Sequence, residues 1–497
     1  MHIGARIEDS MNQMKKIQGM GAGARTRRWQ VLRERHPRFA YEGYSVEEAS
    51  EGVRVRYRFK LDPDIIFEPE TVIEAGDWLR DAWDSEAMDN FAFNLGLVEM
   101  LSYWKAACSP EIVVRAGQME AAQATWWQHL LKKGMGEYFY VNGIDIHRTD
   151  IVVLITNVGE EEGKKQVPRH SIPRDDMKRT RSNSRRDLAL TSGGKDTVVT
   201  LEILREANKK FDCLLLNPTQ AALDVARQAL RDEWGKAIIV RRTIDPRLLE
   251  LNKDGYLNGH TPFSALLAFL GVAVAVMGGY RSVIASNERS AEEATVEYLG
   301  VKINHQYSKS LEFETAFRKY CREFLKTKAE YYSLLRPLYE LQITRLFARH
   351  KEYFPLFKSC NRGAKDNSWC GRCPKCLFVY AALYPFVERG ETLEIFGDDL
   401  FEWEGAGEVL KAMLGLDEAK PFECVGTKEE TLAALYLCAE KYKEQGRELP
   451  RGLKEIEEAV LDKRNDLEEV AERVMGAWGE KHHLGAAQEK AMRRMCR

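Results

Sequence analysis

The sequence predicts an α/β fold, in which a parallel-sheet domain follows an N-terminal α+β domain and precedes a helical C-terminal region. Three observations carry this reading. From Asp187 onward, short apolar runs alternate with helical stretches, the order that builds a parallel sheet with right-handed crossovers. Before about residue 185, strand-like and helix-like stretches mix without that regularity. After about residue 390 the chain is charged and helical. At 497 residues it exceeds one ordinary core, so the expected domains are 1–185, 186–390 and 391–497.

Each element has its own pattern. Val53–Lys60 alternates apolar and basic residues, as a half-buried strand does. Phe91–Ala107 and Met119–Leu131 read as helices and carry Trp104, Trp126 and Trp127. Ile151–Ile155 reads as a short buried strand. Lys164–Arg186 is strongly basic and nearly free of large apolar residues. It reads as a solvated connector, or as a lid whose cations meet a polyphosphate. Strands follow at Leu188–Thr191, Cys213–Asn217, Ala237–Arg241 and Ser282–Ser286. Helices are expected at Asp196–Lys209, Ala221–Trp234 and Phe263–Met277. The last is the most apolar stretch, but it is rich in Ala and Gly and short for a bilayer span, so a buried helix is expected.

Composition narrows the partners. The hydrophobic fraction is 44%, the charged fraction 30% and the formal net charge -2. This balance calls for no nucleic-acid partner and no membrane insertion. The first twenty residues are polar, and four of the ten cysteines crowd into one segment, which suits a reduced cytoplasm.

The first chemical motif is Ser192-Gly193-Gly194-Lys195-Asp196-Thr197, which joins an apolar strand to a helix. Two glycines let the backbone turn sharply and present N–H groups. The helix start adds orphan donors and a positive dipole end, so an anion fits there. The spacing is not that of a Walker A loop. The run resembles the Ser-Gly-Gly-x-Asp-Ser/Thr signature of the PP-loop ATP pyrophosphatases. That resemblance implies bound ATP, a loop that grips the pyrophosphate leaving group, and attack at the α-phosphorus. All six residues are therefore candidate nucleotide contacts.

The second motif is Cys360, Cys370, Cys373 and Cys376, with two Cys-x-x-Cys steps sharing Cys373. Four thiolates at such spacing suit a closed, structural zinc site. Unliganded buried cysteines, or one catalytic thiol, are the alternatives. PP-loop enzymes of 7-cyano-7-deazaguanine synthesis carry a similar knuckle after the same nucleotide-binding core.

A third region lies between these motifs. Ser286 and Asn287 stand at the carboxyl end of an expected strand, where open α/β sheets bind ligands. Asn304-His305-Gln306-Tyr307-Ser308-Lys309-Ser310 is too polar for a core strand. Ser286-Asn-Glu288-x-Ser-Ala, this run, the cysteine motif and Lys420-Pro-Phe-Glu-Cys424-Val-Gly-Thr427 occur in order after the loop. Together they resemble the MurL-type epimerases, from about Phe39 to about Tyr442. The resemblance implies ATP- and Mg²⁺-dependent epimerisation of the terminal glutamate of UDP-MurNAc-L-Ala-L-Glu, a peptidoglycan precursor.

Chemistry then selects the bases. His305 is the first candidate, because its ordinary pKa of ~6.5 suits proton transfer near neutrality. Lys309, Glu288 and Tyr307 are candidates for a second group. If 305–309 were helical, His305 and Lys309 would share one face, which favours Glu288. His260 is a further candidate nucleotide contact, and His482-His483 are expected to be solvated. Two other readings compete: a PP-loop enzyme of 7-cyano-7-deazaguanine synthesis or tRNA thiolation, and a non-catalytic, zinc-stapled nucleotide-binding module.

Overall fold

Alternation along each strand decides the architecture, because successive side chains face opposite sides of the sheet. The computed structural model describes residues 22–76, 85–148, 153–156, 186–231, 235–416 and 419–496. The basic stretch 164–185 lies outside them, as do Ile151 and Trp234.

The strands in chain order are β1 (Arg38–Ala49), β2 (Gly52–Leu61), β3 (Ile65–Phe67), β4 (Glu70–Glu74), β5 (Glu111–Val114), β6 (Val153–Thr156), β7 (Asp187–Leu190), β8 (Phe211–Leu216), β9 (Ala237–Thr243), β10 (Ser282–Ala285), β11 (Val296–Tyr298), β12 (Val301–Ile303) and β13 (Glu330–Ser333). Eleven of them form one sheet in the order β13-β10-β7-β8-β9-β4-β2-β1-β5-β6, with β3 alongside β2. The run from β13 to β9 is parallel. β4 then pairs antiparallel with β9, so strands from the first 185 residues extend the same sheet. A buried, bidentate pair reinforces that joint: Arg242 on β9 donates to both carboxylate oxygens of Glu99, at 2.6 and 2.8 Å.

The alternation in β2 is as expected. Val53, Val55, Tyr57, Phe59 and Leu61 are buried. Arg54, Arg56 and Arg58 face the other way and pair with Glu51, Glu70, Glu47, Glu42 and Glu68. β6 differs from expectation. Val153 and Ile155 are 50% and 37% exposed, because β6 ends the sheet with β5 as its one neighbour among the described strands.

Two apolar cores cover the sheet. Leu188, Leu214 and Val283 join a core with the helix Phe263–Gly278 and the N-terminal elements. Their neighbours Ala189, Cys213, Leu215 and Ile284 join the other, with the helices Lys195–Glu206, Gln220–Ala229 and most of the C-terminal region. The helix Phe263–Gly278 is buried nearly throughout, as its composition predicts. No described helix is long and apolar enough to cross a membrane. The C-terminal tail packs onto this frame and is not solvated as expected. His483 Nδ1 lies 2.9 Å from Glu314 Oε1, and Arg345 donates to the Cys496 carbonyl at 3.2 Å.

Counting β7 as first, the parallel strands run third, second, first, fourth, fifth across the sheet. The direction of winding therefore reverses between β7 and β10. In such sheets the loops diverge at the carboxyl ends of those two strands and leave a crevice.

Candidate active site

Both loops at that crevice are sequence-marked. β7 delivers Ser192–Thr197 and β10 delivers Ser286–Glu288. Ser192 and Thr197 brace the first loop: their hydroxyls lie 2.9 Å apart, and the Ser192 N–H donates to Thr197 Oγ1 at 3.2 Å. The two glycines are needed here for close approach, not for a left-handed backbone. A Cβ on Gly193 would sit 2.7 Å from Ala221 Cβ, and one on Gly194 would sit 2.9 Å from Ser359 Oγ. The Lys358 N–H also donates to the Gly193 carbonyl at 2.8 Å.

Lys195 turns inward. Its Nζ donates to Asp196 Oδ1 at 2.5 Å and to Glu340 Oε1 at 2.9 Å. Burial opposes its charge, but the two carboxyl groups outweigh burial and raise its pKa. Two carboxylates and one ammonium cannot all be charged cheaply in one dry site, so the carboxyl groups diverge. For Glu340, burial dominates and pushes its pKa to about 8 against the pull of Lys195. For Asp196, burial is outweighed by Lys195, Lys375 and Lys309, which hold it below the usual carboxylate range.

In the second loop, Ser286 Oγ is buried and has no hydrogen-bond partner. Asn287 donates to Ser333 Oγ at 3.0 Å. The buried Glu288 has its carboxylate 3.9 Å from Lys309 Nζ. Arg336 ties the loops together, donating to the carbonyls of Glu288 and Lys309.

The stretch 304–310 is not an α-helix. It forms one 3₁₀ turn over Tyr307–Lys309, after which Ser310 caps the helix Leu311–Glu323. His305 is 8% exposed. Its Nδ1 lies 2.6 Å from Thr295 Oγ1, and its Nε2 makes no hydrogen bond of ordinary geometry. Burial, then the charges of Lys309, Lys420 and Lys375, push its pKa down to about 3, with the Glu423 backbone opposing. The ring is therefore neutral at pH 7. Lys309 donates to Cys424 Sγ at 3.4 Å. Burial works against its charge, but Cys424, Glu288, Asp196 and Glu340 outweigh it and raise its pKa. The turn thus gathers His305, Lys309 and Glu288. Tyr307 points elsewhere: its hydroxyl donates to Glu312 at 3.1 Å and lies 3.0 Å from His129 Nε2.

Several residues here were not singled out from sequence. Glu137, buried on the helix Gly136–Asn142, has its pKa pushed to about 8 by burial, with Lys105 opposing and Cys424 adding. His260, which the sequence did single out as a candidate nucleotide contact, lies 6.3 Å from His305, ring to ring, and burial followed by His305, Lys105 and Lys309 pushes it to about 3. Lys375 and Cys424 sit inside runs that were marked for other reasons. A carboxylate amid aromatic residues, as in Gly136-Glu-Tyr-Phe-Tyr140, was the one legible signal for Glu137. Arg336 and Glu340 carried none.

The four cysteines converge. Their sulfur atoms all lie within 4.8 Å of one another, and Cys370 and Cys376 are 3.7 Å apart. A tetrahedron with ~2.3 Å metal–sulfur bonds has edges of about 3.8 Å, so the residues fit a zinc ion. Backbone N–H groups of Gly363, Cys370 and Cys376 point at the sulfurs. Gly371 takes the left-handed φ of +68° that the knuckle turn requires. The same segment touches the Ser192–Thr197 loop through Lys358 and Ser359, and Asn367 accepts from the Ala221 N–H at 3.1 Å.

Residues 31–334 match the family model of the MurL N-terminal domain, and residues 356–468 match that of the MurL C-terminal domain. The chain belongs to the MurL family. It is similar to the UDP-N-acetyl-alpha-D-muramoyl-L-alanyl-L-glutamate epimerase of Micromonospora sp., 37% identical over 361 residues that cover 72% of this chain and 76% of the relative. The proteins of the same name from Salinispora tropica and Xanthomonas oryzae pv. oryzae are 36% and 32% identical. They cover 70% and 78% of this chain, and 72% and 82% of their own lengths. Within this MurL-family chain, the first matched segment holds both crevice loops and His305, and the second holds the cysteines, Lys375 and Cys424. Arg336 and Glu340 fall between the two.

Proposed function

We propose that this chain epimerises the terminal glutamate of UDP-MurNAc-L-Ala-L-Glu in peptidoglycan precursor synthesis, consuming ATP with Mg²⁺ and releasing AMP and pyrophosphate. The observation that carries the reading is that Asp196 of the Ser192–Thr197 loop and neutral His305 both feel the charges of Lys309 and Lys375, in a chain whose relatives bear the epimerase name. The strand order and the Ser-Gly-Gly turn after its first strand support a PP-loop fold.

A free α-carboxylate makes its neighbouring Cα–H very hard to remove, since the resulting carbanion would lie beside an anion. ATP supplies the remedy by adenylating that carboxylate. The chain's residues do the rest. The loop backbone and the start of the helix Lys195–Glu206 receive the pyrophosphate, and Ser286 Oγ offers an unused hydrogen bond nearby. Lys195 anchors the loop's helix to Glu340, which keeps the cradle in place. His305 Nε2 takes the Cα proton. Lys309, Lys375 and Lys420 pair with the anionic substrate, which removes part of the charge that depresses His305. Water finally releases AMP. The four cysteines hold a structural zinc that braces the loop from behind. A cytoplasmic enzyme acting on small molecules, without nucleic acid, fits the near-neutral charge.

The test is a product assay with ATP, Mg²⁺ and the UDP-MurNAc-dipeptide. AMP, pyrophosphate and D-glutamate in the hydrolysed product are expected, with AMP formation dependent on the dipeptide. ADP as the nucleotide product overturns the reading.

A further inference from the structure

We infer that the Cys424 sulfur is the second proton carrier, facing His305 across the substrate Cα; this rests on the epimerase reading above. Inversion by two bases has one group remove a proton and another deliver one on the opposite face of the planar intermediate. Tyr307 is committed to Glu312 and His129, away from the crevice. Glu288 is buried against Lys309, and Lys309 is a held ammonium that points at Cys424.

Cys424 meets the remaining requirements. It is only partly buried, whereas Cys108, Cys213, Cys321 and Cys438 are sealed in the interior. It is not one of the four clustered thiols. Its segment lines the His305 pocket, since the Phe422 ring lies 5.9 Å from the His305 ring and the Glu423 backbone faces that imidazole. His305 Nε2 is buried in the same pocket and, although the Glu423 backbone faces the imidazole, makes no hydrogen bond of ordinary geometry, which leaves it available to a ligand. Glu137, whose raised pKa keeps its carboxyl protonated at neutral pH, is close enough to Cys424 to feel its charge.

The step balances as follows. The Cα–H electron pair moves toward the activated carboxyl group as the proton goes to His305 Nε2. The Cys424 S–H then delivers its proton to the other face, and the pair returns to Cα. The thiolate left behind faces the Lys309 ammonium. The imidazolium loses its proton to water, and the thiolate regains one from water or Glu137. The reverse reaction exchanges the two roles.

The experiment uses the full chain as wild type, Cys424→Ala, Cys424→Ser and His305→Gln, each with the L- and the D-glutamyl substrate. It reads pyrophosphate exchange into ATP and Cα deuterium uptake in D₂O. Both Cys424 variants are expected to keep substrate-dependent exchange into ATP while net epimerisation falls about 10²–10⁴-fold. They should take up deuterium, with retention, from one epimer only, and His305→Gln from the other only. Epimerisation near the wild-type rate, loss of exchange into ATP in both Cys424 variants, or any non-complementary deuterium pattern overturns the inference. No exchange into ATP by the wild type overturns the underlying reading instead.

Discussion

Lys195 shows how a residue's role depends on its partners. The motif marks it as a phosphate ligand, yet its ammonium sits between Asp196 and Glu340. Removing it leaves two carboxyl groups facing each other in a buried site. Lys195→Ala is therefore expected to lose about 3–5 kcal/mol of stability and roughly a hundredfold in turnover. Glu340→Gln, which can still accept from Lys195, should lose far less of both. Thermal unfolding and the rate of AMP release check this, and a Lys195→Ala protein that melts and turns over like wild type contradicts it. The titrating groups bracket stability with pH. His260 and His305 have folded pKa values lowered to about 3, so the stability they confer is present above ~6.5 and is lost as pH falls toward 3. Glu137 has its folded pKa raised to about 8, so its contribution is complete below ~4.5 and is lost as pH rises through 8. His260→Asn should flatten the acid limb of a melting-temperature profile, and Glu137→Gln the alkaline limb. An unchanged profile in either variant counts against the corresponding assignment.

At the scale of elements, the cysteine segment and the Ser192–Thr197 loop are packed as one unit. Lys358 donates to Gly193, Asn367 accepts from the start of the helix Gln220–Ala229, and Lys375 lies between two of the clustered cysteines. Metal binding to such a site is coupled to folding. Cys373→Ser is thus expected to bind no zinc, to melt at lower temperature and to weaken ATP binding together. Metal analysis, thermal unfolding and ATP titration of the same preparation check it, and a zinc-free variant with wild-type stability contradicts it. The crevice strands were legible in advance, since β7, β8, β9 and β10 fall within a residue or two of the apolar runs that mark them, whereas the expected helix Ala221–Trp234 ends at Ala229 and Phe91–Ala107 is interrupted at Met100. The exposure of β6 was not, because a short apolar run reads the same whether a strand has one neighbour or two.

For the whole molecule, one sheet crosses the point at which composition alone suggests a division. β4 joins β9, and the buried pair Arg242–Glu99 spans the same joint. Lys105 and Glu137, from the first 185 residues, consequently reach the crevice. The last residues also belong to the core. Met492 and Met495 are buried, and Gln488 donates to the Tyr332 hydroxyl at 3.2 Å. Deleting residues 478–497 is expected to cost about 3–6 kcal/mol, the burial of two methionine side chains. Denaturant unfolding of the shortened chain checks this, and an unchanged midpoint contradicts it.

The sequence by itself determined what is local. Period-2 alternation marked β2, short apolar runs marked β7 to β10, Ser-Gly-Gly between strand and helix marked the loop, and the spacing of Cys360, Cys370, Cys373 and Cys376 marked their cluster. Tertiary structure decided what is long-range. It turned Lys195 onto Glu340, 145 positions away, and Tyr307 onto His129, 178 positions away. It also brought Lys309 to Cys424 across 115 positions. The reason is physical: periodicity reports which face of an element meets a core, whereas the charge state and direction of a buried polar side chain depend on neighbours that only the packed sheet supplies.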